Sequence, residues 1–572
     1  MAQRRHLAEV ALGRRPADLV LRRARVVNVF TGKVEPADVA VAAGWIAAVG
    51  SFAGAAQREC DLAGRFLAPG LCDAHVHVES SHLTPSEFAR AVVPRGTVAV
   101  VADPHELANV GGADAVRWFV ADAATTPLRV RTMIPSCVPP SPFETPGQVL
   151  DAAAVAALAQ LPDVHGLAEV MNVAGVLAGE PDLMAKLGAV EDLVVDGHAP
   201  GLTGAELCAY LDHGIRSDHE VVTVAELREK VARGMWVGLR QGSSAKNLRA
   251  LLPGVDPAVA RRCFLVTDDR SPVDLADLGH LDDCVRICVA EGMSPVAAVT
   301  LATLNPAAYL SDRDRGAVAP GYAADLVVVD DLHQFVPTLV FINGEVVAQD
   351  GQPLWQPAPV PPPVGLCASV HLDPVRVDAF RVILSGRSVR VIEARPGQLV
   401  TGMSVRPAQP GAELAADPAD DIAKVAVLER HHGSGHRSVG LVRGLGLRRG
   451  AIASTMAHDT HHLVVCGTED HDMAAAADHV RTLNGGFAVA AGGAVVADLP
   501  LPVGGLLSDR PFPDVVTAQR RIRHALHSLT DEQTHDPFDT LQFLALPVIP
   551  SLKLSDQGLV DVTCGRRVPL CA

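Results

Sequence analysis

Between residues 66 and 312, short apolar runs alternate with Ala-rich stretches in a steady rhythm. The runs lie at 67–73, 97–102, 130–135, 164–170, 193–196, 214–217, 235–239 and 263–267. Each is bounded by Gly, Pro or charged residues and reads as a buried strand. The stretches between them, such as 85–93 and 152–160, place apolar residues at helical spacing. Eight strand–helix units in roughly 250 residues is the size of a (β/α)8 TIM-like barrel.

The flanks have a different texture. Residues 18–62 hold short β-branched runs with Thr31-Gly32-Lys33 as a turn, and the same pattern returns over 316–347. There Asn343-Gly344 is a strong hairpin signal. This predicts a small β-sandwich split in sequence, 1–65 and 313–352, with the barrel, 66–312, inserted into it. A Pro-rich stretch, 353–365, reads as a stiff linker. Residues 366–572, with Gly-rich turns at 444–446 and 484–486, read as a C-terminal mixed α+β domain.

Composition narrows the function. The chain has 572 residues, of which 48% are hydrophobic and 20% charged, enough for several packed cores and against disorder. The net charge of −16 and the 4% aromatic content disfavour nucleic acid and anionic membranes as partners. No apolar run approaches the ~20 residues that cross a bilayer. The basic N-terminus lacks the apolar core of a secretory signal. Eleven cysteines show no CxxC spacing, the closest pair being Cys284 and Cys288. Reduced thiols in the cytoplasm are expected.

The chemistry gathers at the C-terminal strand ends, where barrels of this type hold their sites. His75 and His77 end the first strand at i and i+2, so both imidazoles face one side. Asp103, His105 and Glu106 follow the second strand, and Ser136 and Cys137 the third. Glu169 ends the fourth and His198 the fifth; Asp218, His219 and Glu220 follow the sixth, and Asp268 and Asp269 the eighth. A lone strand-end histidine is commonly structural. Four histidines and two carboxylates on one rim point to a shared metal site. Imidazole and carboxylate without thiolate suit Zn, Mn, Fe or Co. Glu169, midway round the ring, can bridge two ions ~3.5–4 Å apart.

These residues also carry a resemblance. The stretch His75 to Ser81, followed by residues 83–90, is similar to the bacterial and archaeal adenine deaminases of the amidohydrolase superfamily. The likeness continues through 101–110, 142–145, 169–172, 196–202, 217–220, 266–270, 302–307 and 323–328, and through 449–454 and 499–502. It implies hydrolysis of adenine to hypoxanthine and ammonia, in purine salvage, by a metal-activated bridging hydroxide attacking C6. It implies two divalent transition ions, Mn first and Fe or Zn as alternatives. His75, His77 and Asp268 would hold one, His198 and His219 the other, and Glu169 would bridge where many relatives use a carboxylated lysine. Asp268 would also accept a proton, and Glu220, protonated through burial, would serve the purine ring. The expected partners are adenine and further copies of the chain, as a homo-oligomer.

Some positions stay open. His82 departs from the family pattern and is read as a surface position in preference to a pocket edge. Asp103 and His105 are read evenly between a role beside the metal, orienting ligands or touching an extra ion, and a structural turn before Pro104. His77-Val78-Glu79 resembles the HxE of the Pro-Cys-x-x-Cys deaminases, but that partner motif is missing, so Glu79 is read as a loop or supporting residue. A second histidine group, His431, His432, His436, His458, His461, His462 and His471, could bind metal or reach over the barrel. Two rival readings are a hydrolase of cyclic amides such as dihydropyrimidines or hydantoins, and a non-enzymatic scaffold.

Overall fold

The structure, a computed structural model, describes residues 2–395, 398–530 and 536–571. Eight short strands follow one another in the middle of the chain: β1 (Leu71–His77), β2 (Thr97–Ala102), β3 (Arg129–Ile134), β4 (Val164–Val170), β5 (Val194–Gly197), β6 (Ser217–Asp218), β7 (Trp236–Arg240) and β8 (Cys263–Val266). Pairing from β1 through β5 and from β6 through β8 is parallel throughout. The ring closes at two seams. Arg216 N–H reaches Val195 O at 3.3 Å between β6 and β5. Past the end of β8, Asp268 and Asp269 pair with Val76 and His77 of β1. This is the expected TIM-like barrel.

The apolar run 67–73, expected as one strand, is divided. Phe66–Pro69 belongs to a neighbouring sheet and β1 starts at Leu71. Gly70 lies at the break, where the pairing partners change, and a Cβ there would lie 2.4 Å from Val98 Cγ2. The barrel strand therefore runs on and carries His75 and His77 within it. One apolar cluster, Ala74, Val101, Met133, Ala168, Phe264 and Val266, packs just N-terminal to the strand-end polar residues. It forms the dry floor beneath them.

Phe66–Pro69 also links the two flanks. It pairs in parallel with Ala17–Asn28 and antiparallel with Leu326–Val329. Strands from before and after the barrel thereby share one nine-stranded sheet. In that sheet Pro337–Ile342 and Glu345–Gln349 form the hairpin signalled by Asn343-Gly344. Both turn residues have positive φ, 51° and 78°, which Asn and Gly tolerate best.

Beyond residue 366, an eight-stranded sheet carries the helix Asp470–Thr482 against its apolar face. This region lies over the barrel mouth. Ser508 N–H donates to His82 O at 2.8 Å, and Phe512 N–H to Glu87 Oε2 at 3.0 Å. Ser555 Oγ donates to Phe143 O at 2.7 Å. Leu107 and Val110 of the barrel share a hydrophobic cluster with Leu366, Val503 and Leu506. Among the described residues no helix is long and apolar enough to cross a membrane, and all eleven cysteines are free.

Candidate active site

The strand ends bring six of the expected residues to one point. His75 Nε2 and His77 Nε2 stand 3.1 Å apart. Their other ring nitrogens are committed elsewhere, His75 Nδ1 to Asp196 Oδ2 at 2.8 Å and His77 Nδ1 to the Asp103 carbonyl at 3.1 Å. Carboxylates and carbonyls accept, so these contacts place the ring protons on Nδ1. Two buried Nε2 lone pairs then face one another, and only a cation or a proton satisfies both.

Glu169 stands in the middle. Its Oε1 lies 3.4 Å from His77 Nε2; its Oε2 lies 2.8 Å from His198 Nδ1 and 3.2 Å from His219 Nε2. Asp268 faces the group from β8, with Oδ1 3.2 Å from His77 Nε2 and Oδ2 3.8 Å from His219 Nε2. Among the overlapping donor groups close enough to share an ion are His75, His77 and Asp268, and Glu169, His198 and His219. This donor chemistry fits a pair of divalent transition metals.

The electrostatics follow from burial and opposite charge. Burial works against the Glu169 carboxylate, yet His198 and then His219 hold it well below the ordinary range. Asp268 is held low in the same way, by Arg240 and then His77. Burial opposes charge on His77 and His219 as well, but Asp268 and Glu169 push His77 well up and bring His219 to about 8. Asp268 itself sits at φ 60°, a conformation that costs a non-glycine residue ~1 kcal/mol or more.

Three supporting residues had no part in the sequence expectations. Arg240 ends β7, buried, and its guanidinium contacts Glu220, Asp268 (2.5 Å) and Asp269 (3.1 Å). A charged residue closing the otherwise apolar run Trp236–Leu239 was the available signal. Lys230, fully buried in the helix Val224–Ala232, binds Asp218, Glu226 Oε1 (2.6 Å) and the Ala199 carbonyl (2.6 Å). Asp218 Oδ1 in turn accepts the Ala199 and Glu220 amides at 3.1 and 3.0 Å. One ammonium thus ties the His198 loop to the His219 loop. Gly197 lets those loops approach, since a Cβ there would lie 2.2 Å from Ser217 O. Asp196 orients His75, with Tyr309 Oη 3.3 Å away.

Other expectations are corrected. Glu220 was expected as a buried acid kept protonated; its carboxyl instead meets the Arg240 guanidinium. His82 is not a surface position. It is 4% exposed and lines a cleft with Ser80, Asp269, His458, Phe487 and Phe538. Glu79 is buried, accepts Leu107 N–H at 3.2 Å, and is pushed to about 8 by burial and then by the Glu106 charge. His105 Nδ1 meets Asp103 Oδ2 at 2.9 Å and Glu169 Oε1 at 3.4 Å. Ser136 turns to the Glu169 carbonyl, and burial raises the neighbouring Cys137 thiol, so neither joins the donors. The second histidine group is divided. His458 and His461 face Glu106 at the barrel mouth. His431 and His432 donate to the Thr460 and Pro146 carbonyls, and His436 and His471 are exposed.

Comparison with known proteins agrees along the chain. The profile of the amidohydrolase family matches residues 66–347, and that of the adenine deaminase C-terminal domain matches residues 398–566. The chain is 44% identical to adenine deaminase 2 of Carboxydothermus hydrogenoformans, over 99% of each chain. It is 46% identical to the adenine deaminase of Nitratidesulfovibrio vulgaris, over 97% of each. It is 42% identical to that of Brucella anthropi, over 96% of this chain and 97% of the other.

Proposed function

The chain belongs to the adenine deaminase family of amidohydrolases, and we infer from that premise and from the site that it hydrolyses adenine to hypoxanthine and ammonia. The observation that carries the reading is Glu169, whose two oxygens meet His77 on one side and His198 and His219 on the other. In this reading His75, His77 and Asp268 hold one divalent transition ion and His198 and His219 the second, with Glu169 between them. Mn is the proposed metal, with Fe or Zn able to substitute in such N/O sites. When bound, such a pair would lower the pKa of a water at the barrel mouth toward neutrality.

The chain's own residues manage the protons. Asp268 is an ionised carboxylate fixed by Arg240. Its proposed role is to relay a proton. It takes one from the attacking water as oxygen joins C6, and delivers it to the amino nitrogen, which leaves as ammonia when the C6–N bond breaks. The second water proton must reach N1. Glu220 is placed for that transfer, taking up the proton and passing it on. Each such transfer is typically worth ~10²–10⁴-fold. Nη1 of Arg240 meets both carboxylates, so relay and ring contact are held side by side.

Free cysteines throughout support a reducing compartment such as the cytoplasm, and the reaction fits purine salvage. A homo-oligomer is part of the proposal, supported by exposed Met403 and Val405 on the edge strand Gly402–Pro407. Light scattering checks it. For the activity, purified protein loaded with Mn²⁺ should shift adenine absorbance to that of hypoxanthine with equimolar ammonia. Inertness toward adenine alongside turnover of a hydantoin or dihydropyrimidine would sink the reading.

A further inference from the structure

Where the C-terminal region meets the barrel, several buried polar atoms have no partner: Glu106 Oε2, Asp459 Oδ2 and His461 Nε2, all on residues no more than 4% exposed. Glu106 lies in the first turn of the helix His105–Ala123, just after β2. His458, Asp459 and His461 come from the loop that follows the strand Ala451–Ser454. Buried polar groups are rarely left unpaired, and a cluster of them calls for an occupant.

The spacing indicates which occupant. His458 Nδ1 lies 3.0 Å from Glu106 Oε1 and 3.7 Å from Asp459 Oδ1. Asp459 Oδ1 lies 4.0 Å from His105 Nε2. Donors ~2.0–2.2 Å from a shared ion stand about this far from one another. At His458 the ion would take the place of the proton that otherwise lies between Nδ1 and Glu106 Oε1; at His105 the ring proton already agrees. His105 gives its Nδ1 proton to Asp103, which leaves the Nε2 lone pair facing Asp459. His461 differs, because its Nδ1 accepts Ala457 N–H at 3.2 Å. Its proton therefore sits on Nε2, 3.8 Å from Glu106 Oε2, where it steadies the carboxylate from outside. An ion pair between His458 and Glu106 alone would leave Asp459 unexplained.

We propose that His105, Glu106, His458 and Asp459 hold a further divalent transition cation, distinct from the paired centre at Glu169. Two imidazoles and two carboxylates without thiolate suit Mn or Zn. The site joins barrel to C-terminal region, so the ion fastens that region over the mouth. Arg430, fully buried, holds the loop in place by donating to the His461 carbonyl and to Ser369 O at 3.0 Å and Gly504 O at 2.9 Å.

Crystals of the full chain soaked in Mn²⁺ and, separately, in Zn²⁺ test this through anomalous difference maps. A peak among Glu106 Oε1, His458 Nδ1 and Asp459 Oδ1 is expected, in addition to density at Glu169. No peak there with either metal overturns the proposal. A peak there but none at Glu169 upholds it and removes the paired centre instead. In solution, the double variant His458→Ala, Asp459→Asn should lose one metal equivalent per chain, which the double variant His75→Ala, His77→Ala retains. Unchanged metal content in the first variant would also overturn it. Should that variant fail to fold, the maps of the unaltered protein decide.

Discussion

At the scale of single residues, the site is a set of imidazoles and carboxylates whose positions are fixed by second contacts. Glu220→Gln keeps shape but cannot shuttle a proton. It should keep its metal while turnover falls ~10²-fold or more; metal analysis beside an adenine assay checks both halves. Asp196→Asn removes the charge that orients His75. Weakening of metal binding by ~10–100-fold is expected, read by competition with a chelator. The ligand candidates were legible in the sequence because strand ends and the i, i+2 spacing of His75 and His77 can be read locally. Arg240 and Lys230 were not. Their meaning lies in partners such as Asp268 and Ala199, which adjoin them only once neighbouring strands pair. His82 was misread for a related reason: what buries it comes from Phe487 and Ser508, more than four hundred residues later.

At the scale of elements, two buried lysines do different work. Lys230 joins the loops after β5 and β6, and removing one partner of a buried ionic group leaves the others uncompensated. Lys230→Met should destabilise by ~3–5 kcal/mol, measured by chemical denaturation, and should loosen the His198 and His219 loops together. Lys553, in the hairpin strand Leu552–Ser555, donates to the Leu399 and Phe543 carbonyls at 2.9 and 3.0 Å. With no carboxylate beside it among the described residues, burial lowers it from 10.5 to about 7. Between those two values the unfolded chain binds a proton that the folded chain does not, so folding stability rises with pH; below 7 both states bind it and the dependence stops. Relative to Lys553→Met, the unaltered protein should therefore gain up to ~1.4 kcal/mol per pH unit above 7, seen in denaturation midpoints collected from pH 6 to 9. A strand placement misjudged from the apolar pattern, at 67–73, had an elementary cause. Two consecutive apolar strands in different sheets look like one run, and only their pairing partners tell them apart.

At the scale of the whole molecule, the barrel and the C-terminal region share apolar surface. Leu107 and Val110 pack with Leu366, Val503 and Leu506. A chain ended after residue 365 should expose that surface and aggregate; size-exclusion chromatography and dye binding would show it, and a monodisperse, active product would contradict it. The alternation of strands and helices made the barrel readable, since each unit is local. The way the C-terminal sheet sits over the mouth was not readable, because it rests on single hydrogen bonds such as Ser508 to His82. The closure of the ring has one more consequence. Thr267 and Asp73, whose side chains meet at 2.6 Å beside the seam, are 194 residues apart. His75 and His77 emerge from the ribosome long before Asp268 does. On the proposed ligand assignment, no nascent chain can assemble the first set until the eighth strand has been made, so metal loading would be a late event that reports a finished barrel.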